Sequence, residues 1–157
     1  MPHLFPAGYD GDSVLALIDA ARIPILPEVL EASGLDHRYL FKRGTRDEWG
    51  DATPWLVRLE QESDLTRKLF TGGKSAGQYW DNAAVIFIRS SRPLAMIWSH
   101  LRKFTKFQDT RGKCVFFRFW APSCLERHLK GHDEATTPSR FRWWPSRRCG
   151  WHWERRP

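Results

Sequence analysis

The stretch GKCVFFRFWAPSCLERHLKG, residues 112–131, places one full positive charge in the middle of an aromatic and apolar run. Residues 114–120 have the alternation of a β-strand, which puts Arg118 and Trp120 on the same face. Both faces of this strand are mainly apolar, so we expect Arg118 to be at least partly buried. A buried guanidinium without a partner is costly. The stretch therefore predicts that Arg118 pairs with a carboxylate or with several carbonyl groups.

Asp19 is the natural candidate for that carboxylate. It is the one charged residue inside the apolar run VLALIDAA, residues 14–21, which favours a strand. We predict an ion pair between Asp19 and Arg118 that joins two neighbouring elements.

Strand and helix patterns alternate along the chain. Short strands are predicted at residues 37–41, 54–59 and 83–90, and a hairpin at 105–120. Four helices are predicted. They cover residues 25–33, a segment that starts at the capping residue Asp64, residues 93–104, and a segment that starts at Pro122. The uninterrupted apolar run of 83–90 is typical of a central strand that is covered on both faces. The pattern predicts a mixed α+β fold with a single central mixed sheet and helices packed on it.

Length and composition favour one intracellular domain. The chain has 157 residues, 41% of them hydrophobic, which is enough for one core. It has no apolar run long enough to span a membrane, and its three cysteines form no CxxC pair. We expect a soluble cytoplasmic protein with one domain over residues 13–131. The remaining residues, 132–157, form an irregular tail rich in arginine and tryptophan.

Charge is distributed unevenly between the two halves. Residues 1–78 carry a net charge of −3 and residues 79–157 a net charge of +10, which points to an anionic partner or a solvated basic face. The outer face of the helix at 93–104 supplies a possible basic binding surface, His100, Arg102 and Lys103. The tail could stack on nucleic acid, lie at a membrane interface, anchor a protein partner or be a non-native C-terminus.

Patterns for catalysis or metal binding are weak. TGGKSAG, residues 71–77, lacks the first glycine of a phosphate-binding loop and follows a helix, so a helix-ending turn is favoured. Cys124, His128 and His132 have a spacing compatible with zinc, but Gly131 should end their helix. No nucleophile or metalloprotease signature is present. We expect no enzymatic activity, no cofactor and no metal.

The ordered set of segments resembles a known bacterial family. VLALIDAA, TPWLVRL, WDNAAVIFIRS and LAMIWSHLRKFTKFQDTRGKCVFFRFWAPSCLERHL follow one another as they do in the effector-adaptor (chaperone) domain of type VI secretion. The family was long catalogued as a domain of unknown function. The resemblance covers roughly residues 13–130. Its most specific part is the block at residues 110–122, where the family shows an F-R-F/Y-Y-D-P core.

The resemblance implies a non-enzymatic adaptor. Such proteins bind a toxic effector in the bacterial cytoplasm and help to load it onto the VgrG spike protein. The motif positions that carry over are Asp19, Arg118, Trp120 and Pro122, which either contact partners or hold the fold; we favour the structural role. The alternative function is that of a small basic nucleic-acid-binding protein.

Two features depart from the family pattern. The aspartate before the proline is replaced by Ala121, which cannot accept hydrogen bonds from the start of the following helix. Family members also usually continue into a substantial C-terminal lobe, whereas in this chain the domain is followed by the short arginine- and tryptophan-rich segment 132–157. The resemblance therefore leaves open whether this chain holds an effector unaided.

Overall fold

The computed structural model describes residues 5, 12–42, 44, 50–72, 79–108 and 111–130. The strands among them are β1 (Ser13–Ile18), β2 (His37–Tyr39), β3 (Trp55–Leu59), β4 (Val85–Ser90), β5 (Lys106–Gln108) and β6 (Cys114–Phe116). The helices are α1 (Leu26–Ser33), α2 (Asp64–Phe70), α3 (Leu94–Arg102) and α4 (Pro122–Lys130). Short 3-10 turns occupy Ala20–Arg22, Gly50–Ala52 and Trp80–Asn82.

Four of these strands form one sheet in the order β2-β3-β1-β4, and β5 pairs with β6 in a separate hairpin. The mixed α+β fold class is confirmed. The pairings within the described sheet are all antiparallel, whereas the sequence predicted a mixed sheet. Alternation of strands and helices along a chain does not by itself fix strand direction, because a helix can also lead into an antiparallel neighbour.

The predicted central strand lies at the edge of the described sheet. β4 pairs with β1 on one side, and its residues alternate between half-buried and buried positions. β1 is the central strand instead, with β3 and β4 on its two sides. The apolar character of β4 arises because both faces of the sheet are covered by helices, which makes even an edge strand apolar.

Helices cover both faces of the sheet. Alternate residues of β1 enter two separate cores, since neighbouring side chains of a strand point to opposite faces. The first core joins the sheet to α1 and α2 through Val14, Ala16, Ile18, Leu26, Leu30, Leu65 and Leu69. The second joins it to α3, α4 and the segment before α4 through Leu15, Leu17, Leu56, Ile86, Ile88, Leu94, Leu101, Phe119, Trp120 and Leu125.

The predicted tail, residues 132–157, lies outside the described residues. Among the residues that are described, helices are too short to cross a membrane.

Candidate functional site

The aromatic stretch that follows the hairpin turns earlier than its sequence suggests. β6 ends at Phe116, although the alternation predicted a strand as far as Trp120. The backbone N–H of Phe117 donates to the carbonyl of Thr105 (3.1 Å), and the N–H of Ala121 donates to the carbonyl of Arg118 (3.1 Å). The chain thus turns over residues 118–121. Arg118 begins this turn, and its side chain is 46% exposed rather than enclosed in a strand.

The predicted ion pair between Asp19 and Arg118 is confirmed. Asp19 follows the last residue of β1 and its side chain is fully buried. Its Oδ2 atom accepts a hydrogen bond from Nη2 of Arg118 at 2.7 Å, and Nε of Arg22 lies 3.8 Å from the same oxygen. The backbone N–H of Asp19 donates to the carbonyl of Ala84 (2.8 Å). The carboxylate therefore ties the end of the central strand to a segment 99 residues away.

The other two motif residues are buried. Trp120 is 1% exposed and packs edge-on against Phe41 and Phe119, with ring centres 5.4 and 5.5 Å apart. Pro122 is buried at the first position of α4, where the missing N–H of proline costs nothing. A partner cannot reach side chains that are enclosed in the core. This burial favours the structural role for the motif.

Ala121 occupies the cap position of α4. Its carbonyl accepts from the N–H groups of Cys124 (3.0 Å) and Leu125 (3.1 Å), but its methyl group accepts nothing. We predict that Ala121→Asp raises the melting temperature, because the carboxylate would take an N–H of the first helical turn. The gain should be about 1 kcal/mol, or roughly 2–4 °C for a domain of this size. Thermal unfolding followed by circular dichroism measures it.

Ala121→Asn is the matched variant, since it supplies an acceptor without the charge. Both variants should gain stability if capping is the cause. An unchanged or lower melting temperature for both would reject the capping explanation. Ala121 is buried, so a polar side chain at this position raises stability only if its hydrogen bond to the helix forms. A gain in stability would therefore support capping.

Helix α3 separates the three residues of the predicted basic surface. Successive residues of a helix are 100° apart, so His100 and Arg102 lie on opposite flanks of α3. The ring of His100 packs against Phe104 with 4.9 Å between centres, whereas Arg102 lies over the ring of Trp98. Lys103 is exposed just beyond the last residue of the helix. The structure thus does not gather these three residues into one patch, and their binding role stays a prediction.

His100 makes stability depend on pH. Burial lowers its pKa below the ordinary value of 6.5, and the positive charges of Lys103 and Arg92 lower it further. The unfolded chain then binds protons more readily than the folded chain, so stability is full above pH 6.5 and falls as the pH drops. We expect His100→Gln to flatten this fall in melting temperature between about pH 7.5 and about pH 5. Parallel curves for the two proteins would contradict this prediction.

An open groove of about 600 Å³ lies between the edge strand β2 and helix α3. Four of its lining residues are aromatic: Tyr39, Phe41, Trp55 and Trp98. Phe41 and Trp55 are buried and form its floor, whereas Tyr39 and Trp98 are half-buried. Tyr39 meets Trp55 edge-on at 5.6 Å. The groove is therefore a preformed aromatic hollow.

Positive charge surrounds this hollow. Its lining includes the cations Arg38, Lys42 and Arg102, together with the carboxylate of Glu31. The guanidinium carbon of Arg102 lies 4.4 Å from the centre of the Trp98 ring, and that of Arg38 lies 5.5 Å from it. Such positions are favoured by the negative face of an indole. In the described part of the chain, the three cations have no ion-pair partner.

Trp98 also closes part of the sheet edge. The carbonyl of Asp36 and the N–H of Leu40 bond to β3, so the backbone groups of Tyr39 between them point outward. The indole N–H of Trp98 donates to that outward carbonyl of Tyr39 at 2.8 Å. Sequence reasoning placed Trp98 in the apolar stripe of α3 and missed the groove. The available signal was its spacing of four residues from Arg102, which puts the two on one helix flank.

The weak metal and phosphate patterns gain no support. Among the described residues, histidine, cysteine, aspartate and glutamate form no cluster that could hold a metal ion. His132, the third residue of the zinc pattern, lies outside them, as does most of the TGGKSAG stretch. The described start of that stretch ends α2, because the N–H of Thr71 donates to the carbonyl of Lys68 (3.3 Å).

Comparison with protein-family models identified a family to which the chain belongs. A family model described as a domain of unknown function (DUF4123) matches residues 14–139. This range contains Asp19, the block around Arg118 and every lining residue of the groove. A search of curated proteins found no significant match, and a search of solved structures found none.

Proposed function

Because this chain belongs to the DUF4123 family, which is associated with type VI secretion effector adaptors, we propose that it is a non-enzymatic adaptor. In this proposal the domain binds a toxic effector in the cytoplasm of the producing bacterium. It then helps to load that effector onto the VgrG spike. The partners are thus two proteins, and the task is to hold one and present it to the other.

The observation that carries the proposal is the family match over residues 14–139. Within that range, the block around Arg118 is tied to the end of the central strand by the ion pair with Asp19. The groove beside α3 adds a concave aromatic surface whose three cations have no ion-pair partner among the described residues. Aromatic side chains and arginine are the residues that most often anchor protein partners.

Co-purification tests the proposal. The full chain, with an affinity tag, is expressed together with a candidate effector and with VgrG from the same genome. We expect the effector to be retained on the tagged chain and VgrG to be recovered in larger amount when the effector is present. Failure to retain any effector encoded beside a VgrG gene would overturn the adaptor function.

Salt dependence separates the adaptor from the nucleic-acid-binding alternative. Phosphate contacts release counterions, so binding of nucleic acid falls by orders of magnitude between about 50 and 200 mM salt. An interface based on aromatic anchors should lose much less. The alternative draws on the net charge of +10 in residues 79–157, and retention of an oligonucleotide rather than an effector would favour it.

A further inference from the structure

We propose that the groove between β2 and α3 is the docking site for an acidic segment of the effector that carries an aromatic or large apolar side chain. This inference rests on the proposed adaptor function and assigns it to a place on the domain. The segment's carboxylates would meet Arg38, Lys42 and Arg102, and its apolar side chain would enter the hollow beside Trp98.

Charge complementarity identifies the occupant. Arg102 and Arg38 both lie over the Trp98 ring, 4.4 and 5.5 Å from its centre, and Lys42 lines the same groove. The surface carboxylate Asp64, by contrast, has both Lys68 and Arg67 as partners on its own helix. The cations of the groove have no such partner among the described residues. A carboxylate ligand would form charge-assisted hydrogen bonds with these cations.

Aromatic contacts and a hydrogen bond hold the side chains of the groove in place. Phe41 packs edge-on against the buried Trp120, and Trp55 meets Tyr39 in the same way. Trp98 is fixed at both ends, by its hydrogen bond to β2 and by its place in α3. A hollow of about 600 Å³ lies within the usual range for ligand sites. It therefore suits a few side chains of one segment rather than a broad protein face.

The mode of docking follows from the sheet edge. A strand added to β2 would need the outward carbonyl of Tyr39, which already accepts from Trp98. Recognition at this groove is thus by side chains rather than by strand addition. Single-stranded nucleic acid binds along extended basic tracks, whereas Arg38, Lys42 and Arg102 converge on one hollow that also contains Glu31. An acidic peptide is the better fit.

Peptide binding provides the direct test. The probe is a fluorescein-labelled peptide of alternating glutamate and phenylalanine, compared by fluorescence anisotropy with its lysine analogue and with labelled oligothymidine. The full chain should bind the acidic peptide most tightly. The double variant Arg38→Glu/Arg102→Glu should weaken that binding by at least about tenfold. Arg38 is exposed and Arg102 is half-buried, so circular dichroism checks that the fold is retained.

Arg92→Glu/Arg127→Glu is the matched control, because it reverses the same number of charges at two exposed residues that do not line the groove. It should change peptide affinity by less than about threefold. An equal loss in the control would mean that only overall charge matters, and would overturn the inference. Tighter binding of oligothymidine at the same residues, or no binding of the acidic peptide, would overturn it too.

The same variants, tested by co-purification, separate this inference from the adaptor function. If the wild-type chain retains an effector and Arg38→Glu/Arg102→Glu loses it, the adaptor function and the docking site are both supported. If the double variant still retains the effector, the groove is not the docking site although the adaptor function stands. If the wild-type chain retains none, the adaptor function itself fails.

Discussion

Arg118→Met should lower the free energy of unfolding by about 2–3 kcal/mol. The change removes the guanidinium that lies 2.7 Å from the carboxylate of Asp19, whose side chain is fully buried. Removing one partner of a buried ion pair typically costs roughly 3–5 kcal/mol, because the other charge is left without compensation. We expect less here because the side chain of Arg118 is 46% exposed and water can partly replace it. Urea unfolding measures the effect.

Arg22→Met is the matched control for this prediction. Arg22 is 45% exposed and approaches the same oxygen of Asp19, but at 3.8 Å and without a hydrogen bond to it. It also donates to the carbonyl of Asn82 at 3.1 Å. Its loss should therefore cost no more than about 1 kcal/mol. Equal effects of the two arginine variants would contradict a special role for the Arg118 pair.

A second variant shows whether the loss of stability in Arg118→Met comes from the buried carboxylate of Asp19, which is left without its partner. Asp19→Asn removes the buried charge and keeps the size of the side chain. The double variant Asp19→Asn/Arg118→Met should then be more stable than Arg118→Met alone. If it is less stable instead, the interaction of Arg118 with the rest of the segment, and not with Asp19, accounts for the loss.

The pair could be predicted from sequence because each charge stands alone in an apolar run. Burial of either charge without the other would be costly. Each isolated charge therefore requires a partner of opposite sign, and the other residue is the natural candidate. The prediction held although the strand alternation from which it started ends at Phe116. The strand ends at Phe116 because Phe117 bonds to Thr105 and the chain then turns. That turn depends on tertiary contacts, which alternation alone does not record.

The groove could not be predicted from sequence. Its residues come from α1, from β2 and the segment after it, from β3 and from α3, and they meet only because β2 is an edge strand next to α3. The order of strands is a property of the whole sheet, and it also explains why β4 was wrongly predicted to be central. Trp98 fits an apolar helix stripe equally well as a core residue or as a groove residue. The choice between them depends on what lies opposite.

Trp120→Ala should have the largest effect of any single change proposed for this domain, about 3–5 kcal/mol. Trp120 is 1% exposed and belongs to the second core, where it joins the segment before α4 to the sheet and to Phe41. Truncation leaves a cavity and removes two edge-on aromatic contacts. Urea unfolding of the wild-type chain and the variant gives the difference, and a loss below about 1 kcal/mol would contradict this role for Trp120.

Trp120→Phe distinguishes a structural role from partner binding and remains informative if Trp120→Ala does not fold. The indole Nε1 of Trp120 is buried without a hydrogen-bond partner among the described residues. Phenylalanine therefore loses no described hydrogen bond and leaves a smaller cavity than alanine, so we expect a cost of about 1–2 kcal/mol. If the role of Trp120 is structural, the Trp120→Phe chain should still retain the effector in co-purification. Loss of the effector from a stably folded Trp120→Phe chain would instead assign Trp120 to the partner interface, which its burial argues against.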